Sequence, residues 1–126
     1  MASPALNDQQ KHEVMTFREQ VVAPSMDKIV ILDFFAEWCG PCKQLMPVLE
    51  KTSRAYAAKG VELVKIDVDK NEFIASQFQV RSIPTVYAVH KGKPVADMTG
   101  ARTESQIAEL IEKLIAQYQV NPVATS

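Results

Sequence analysis

Scarcity sets the first limits on this chain. Its 126 residues include two cysteines, two histidines, four glycines and one tryptophan. Two cysteines are too few for the disulfide framework of a small secreted domain. Neither His12 nor His90 has the spacing of a zinc finger, which sets aside a structural metal site. Excess charge is also missing. Fourteen Lys and Arg against fifteen Asp and Glu leave a net charge of -1, which gives no electrostatic case for nucleic acid or an anionic membrane. No apolar run approaches the roughly 20 residues that span a bilayer. The start, MASPALNDQQKHE, lacks the basic and apolar regions of a signal peptide, so the expectation is a cytoplasmic protein. With 47% hydrophobic and 23% charged residues, the length suits one globular domain, and nothing suggests more than a monomer.

What is present centres on residues 29–48, IVILDFFAEWCGPCKQLMPV. The first eight residues are apolar apart from Asp33, which fits a central strand buried on both faces. From Lys43 the spacing turns helical, with Leu45, Met46, Leu49, Ser53 and Tyr56 recurring. Cys39-Gly40-Pro41-Cys42 lies at the junction. A helix start offers unpaired N–H groups and the positive end of the dipole, so a thiolate is stabilised there. Pro41 suits the first turn, and Gly40 permits a tight approach to the first sulfur. Three residues of separation put both thiols on one face, close enough to bond. So local a bridge closes almost no loop, so the pair reads as reactive and not as a staple.

The remaining chain divides simply. Residues 1–12 read as a flexible arm, 13–118 as one domain and 119–126 as a disordered tail. A first helix is expected over 13–23, ended by Pro24. The cysteine helix should run to Lys59, kinked at Pro47 and closed by Gly60. Residues 61–68 alternate as a strand, 70–78 form a short helix, and 85–90 and 94–98 are strands around a Lys91-Gly92-Lys93 turn. Thr103 and Gln106 suggest a capping box for a last helix with Ile107, Leu110, Ile111, Leu114 and Ile115 buried. The order implies an α/β fold with a mixed sheet between helices. Both histidines are expected at the surface and the methionines in the core.

These residues carry a resemblance. The segment 33–43, DFFAEWCGPCK, is similar to the active-site segment of the thioredoxin family. Lys65 with Ile-Asp-Val-Asp69, then Ile83-Pro84-Thr85, Gly92 and Gly100-Ala101 follow in the family's order, and the likeness covers residues 17–114. It implies the three-layer thioredoxin fold, a central mixed sheet flanked by helices on both faces. It also implies a protein dithiol–disulfide oxidoreductase with no bound cofactor. Its substrates would be disulfide-containing proteins, and thioredoxin reductase, a flavin enzyme drawing on NADPH, would reset it.

By the same resemblance, Cys39 is the attacking thiolate and Cys42 the resolving thiol. Asp33, desolvated in an apolar strand, should have a raised pKa and accept the Cys42 proton, while Lys65 on the next strand balances its charge. The alternative for Asp33 is a water-facing carboxylate at a strand edge. Pro84 would be cis. Trp38, Gly40, Pro41, Ile83, Pro84, Gly100 and Ala101 would form an apolar apron for an extended substrate, although Ile83 and Ala101 could equally be core. Phe35, Ser82 and Thr99 depart from the commoner family pattern and bear on substrate preference. A second resemblance, of residues 74–95 and 100–115 to thioredoxin domains in some bacterial chaperones, implies a client-holding module instead.

Overall fold

β1, Ile29–Phe35, is buried along its whole length except for Phe35. It is buried because both of its edges and both of its faces are covered. In this computed structural model, which describes residues 5–118, β1 pairs in parallel with β2 (Val61–Asp67) and antiparallel with β3 (Thr85–His90). β4 (Lys93–Asp97) completes the sheet, in the order β2-β1-β3-β4. Lys91 and Gly92 both have positive φ and join β3 to β4 as a two-residue turn.

The two faces of β1 sort by residue parity. Ile29 and Ile31 pack on α3 (Gly40–Ala55) and α5 (Glu104–Tyr118) through Leu45, Leu49, Ile107 and Ile111. Val30, Leu32 and Phe34 face the other way, toward Val21, Phe78 and the side chains of α1 (Asp8–Phe17) and α4 (Glu72–Gln77). The sheet therefore lies between two helical layers, as the sequence implied. α5 starts with the expected capping box, since Thr103 and Gln106 bond each other's backbone N–H. α3 ends at Ala55, short of the expected Lys59; a separate 3-10 turn over Ala57–Lys59 follows, and Gly60 ends that turn in the left-handed conformation that favours glycine. Pro47 lies inside α3.

Some expectations need correcting. α1 begins at Asp8, not at residue 13, because Asn7 and Gln10 form a capping box. Residues 8–12 of the expected arm are thus helical; the expected tail over 119–126 lies outside the described residues. Pro24 does not end the first helix. A π-helical turn over Arg18–Val22 shifts the hydrogen-bond ladder, and Pro24 falls in the first turn of α2 (Ala23–Ser25), where its missing N–H costs little. His90 is not a surface residue. Strand alternation places it on the same face as Val86 and Ala88, against the ring of Tyr118, with Nδ1 2.9 Å from the Lys28 carbonyl. Met98 is core, but Met15 and Met26 are exposed.

Candidate active site

The end of β1 and the start of α3 build the site together. Ala36 accepts a hydrogen bond from the Cys39 amide at 3.1 Å, which closes the turn after the strand. Cys39 then occupies the N-cap of α3, and its Sγ accepts from the Cys42 amide at 3.2 Å. Sulfur thus does what a Ser or Asp oxygen does at most helix starts. Gly40 and Pro41 are exposed in the first turn. Cys39 and Cys42 form a disulfide. Cys39 is 4% exposed and Cys42 1%. Ala36, Phe35, Val68 and Ile83 wrap the pair in apolar surface.

Across from the sulfurs runs the segment before β3. The Ile83–Pro84 peptide is cis, as the resemblance implies. The Ile83 carbonyl lies 3.9 Å from Cys39 Sγ, a contact only, since a disulfide sulfur has no proton to donate. Trp38, Val68, Val80, Ser82 and Ile83 line a groove of about 290 Å³ beside it. Trp38 is 72% exposed, and its indole N–H donates to Asp69 at 2.8 Å. Gly100 and Ala101 do not line that groove. Gly100 is exposed with φ of 102°, and Ala101 packs on the α3–α5 core. Thr99 spends its hydroxyl on the backbone of Val86 in β3, 3.0 Å from the amide, while Ser82 stays at the groove.

Asp33 is the outlier of the core. It shares the α3–α5 face of β1 with Ile29 and Ile31 and is 1% exposed. Neither carboxyl oxygen has a hydrogen-bond partner among the described residues. Burial drives its pKa from 3.8 up to about 6, although the Lys65 ammonium pulls the other way. This overturns the strand-edge alternative, in which the carboxylate faces water. Lys65 is the direct neighbour of Asp33 in the β1–β2 register. Its Nζ, however, bonds Glu50 of α3 at 2.8 Å. That hydrogen bond, and then the lysine's charge, hold the Glu50 carboxyl below its ordinary 4.5.

A model of the thioredoxin family matches residues 8–113. The chain belongs to the thioredoxin family. It is 44% identical over 97 residues to the thioredoxin of Haemophilus influenzae, which spans 77% of this chain and 89% of that one. The thioredoxin of Chlorobaculum thiosulfatiphilum is 44% identical over 89 residues, covering 71% and 82%. Among solved structures, the germline-specific thioredoxin Deadhead of Drosophila melanogaster superposes with a TM-score of 0.68 at 31% identity, covering 79% of this chain and 93% of that one. With its paired cysteines at the helix start, this member of the family is a protein dithiol–disulfide oxidoreductase, a protein-disulfide reductase. The client-holding alternative finds no support in the comparisons.

Two residues near the site escaped the sequence reading. Asp69 appeared only as the end of an Asp-Val-Asp run, and its bond to Trp38 spans 31 positions. Glu50 carries no signal of its own in the sequence and was not singled out. Its bond to Lys65 depends on how α3 lies across β2.

Proposed function

We propose that Cys39 is the nucleophile, Cys42 the resolving thiol and Asp33 the base between them. In the reduced protein, the Cys39 thiolate attacks one sulfur of a substrate disulfide. That S–S bond breaks, the other substrate sulfur leaves as a thiolate, and Cys39 is joined to the substrate by a mixed disulfide. Cys42 then passes its proton to the Asp33 carboxylate and attacks Cys39 Sγ. The second substrate thiolate leaves, and the Cys39–Cys42 disulfide holds the two electron equivalents' worth of oxidation. The disulfide at the N-cap of α3 carries this reading. The helix start lowers the first thiol's pKa toward ambient pH, where thiolate fraction and nucleophilicity are best balanced.

Lys65 tempers the Asp33 charge. Trp38, Gly40, Pro41, Ile83 and Pro84 form the substrate-binding apron beside Cys39; Gly100 and Ala101, expected to join it, lie outside the Trp38–Ile83 groove and are left out of it. An extended substrate strand lies against the Ile83 backbone, close to Cys39. Thioredoxin reductase, a flavin enzyme fed by NADPH, returns two electrons to the pair, which makes this chain an electron carrier with no cofactor of its own. We place it in the cytoplasm as a monomer acting on disulfide-bonded proteins, apart from nucleic acid and membrane. The near-neutral charge favours this, and no described helix is long and apolar enough to cross a membrane.

Trapping tests the assignment of roles. Cys42→Ser incubated with a disulfide-bonded protein should accumulate a covalent adduct through Cys39, visible on a non-reducing gel and lost on adding dithiothreitol. The roles are reversed if Cys39→Ser forms the adduct and Cys42→Ser does not.

A further inference from the structure

Lys65 has two carboxylates to choose between. Asp33 is its partner across the β1–β2 ladder, yet its ammonium is bonded to Glu50 at 2.8 Å. Glu50 also borders an open depression of about 490 Å³ whose wall includes Cys42, Met46 and Phe35. Glu50 therefore borders the depression beside the resolving cysteine and also holds Lys65, the cation acting on Asp33. As a stabilising ion pair this contact is worth little, since both side chains are more than a third exposed. Its consequence is positional.

We propose that Glu50 is a positioning residue for thiol–disulfide exchange: by holding the Lys65 ammonium on the α3 side, it limits how much of that charge reaches Asp33. The proposal deepens the reading of Asp33 as the base for Cys42 and rests on it. A carboxylate that felt the whole lysine charge would give up its proton more readily and be a weaker base toward Cys42. Among the described residues, Lys65 is the only charged group that shifts Asp33. Val86 faces it from β3, and Ile107, Ile111 and Leu114 of α5 are apolar. Cys42 of α3 does not titrate while it is in the disulfide.

The test is a carbon-13 NMR titration of the Asp33 carboxyl in the oxidised protein. It compares wild type, Glu50→Gln, Lys65→Met and the double variant. Glu50→Gln should lower the Asp33 midpoint by roughly 0.5 or more, because the freed ammonium turns toward Asp33. Lys65→Met should raise it, and adding Glu50→Gln to Lys65→Met should then change nothing. An unchanged midpoint in Glu50→Gln overturns the proposal. So does an equal fall with and without Lys65, which would mean that Glu50 acts directly. The pH profile of substrate reduction is then measured for wild type and Glu50→Gln. Its acid limb should move down with the Asp33 midpoint. If the midpoint moves and the limb does not, Asp33 is not the base; the underlying reading fails, and Glu50's part in exchange fails with it.

Discussion

Asp33 concentrates the cost of this fold in one side chain. Its carboxyl is buried, without a hydrogen-bond partner among the described residues, and titrates at about 6 instead of 3.8. The linkage has a definite sign. Below the ordinary value both the folded and unfolded chains hold the proton, and there is no penalty. Between 3.8 and about 6 the unfolded chain releases it first, so the folded state loses ground as pH rises, and above that the loss is complete. The stability of Asp33→Asn relative to wild type should therefore improve by roughly 2–3 kcal/mol from about pH 4 to about pH 8. Urea denaturation at the two pH values checks it; a constant difference would mean that the carboxyl is not shifted. The sequence showed this residue because a lone acid in IVILDFF has nowhere polar to turn within a doubly buried strand. It could not show Glu50, because nothing local distinguishes that acid from Glu37 or Glu62.

At the scale of elements, the first helix is anchored by a side chain that looks ordinary in sequence. Glu13 is buried on α1, accepts from the Ile74 amide of α4 at 3.1 Å, and accepts from Gln9 at 3.3 Å. That amide is one of the unpaired N–H groups of the first turn of α4. Glu13→Ala should cost roughly 1–3 kcal/mol and speed hydrogen exchange at Ile74 more than at its neighbours. An unchanged Ile74 exchange rate would show that the bond does not hold α4. The partners lie 61 positions apart, so no window of sequence could reveal them. Local signals did better. The apolar run of β1, the Lys91-Gly92 turn and the Thr103–Gln106 capping box are each decided within a few residues. Pro24 misled because a proline normally stops a helix, and only the preceding π-helical turn makes room for it. His90 misled because a polar residue at a strand end was read without asking what covers that face.

For the whole molecule, the fold places reactive chemistry where the layers meet. The sheet with α3 and α5 forms one core, the sheet with α1 and α4 the other, and the disulfide sits where β1 passes into α3. The buried acid arrives from the strand, the helix start from α3, and the groove wall from the segment leading into β3. That convergence was legible in outline, since the order of Asp33, Cys39, Cys42 and Pro84 already resembles the family. The division of the apron was not legible. Trp38 and Ile83 share a groove, whereas Gly100 and Ala101 lie outside it. Coupled turnover tests the redox role of the whole molecule most directly. NADPH oxidation is followed with thioredoxin reductase and a disulfide-bonded protein substrate, for wild type and Cys39→Ser. Sustained oxidation with wild type, falling to the background rate in Cys39→Ser, is the expected result. Equal rates for the two proteins, or no turnover with wild type, would contradict an electron carrier working through Cys39.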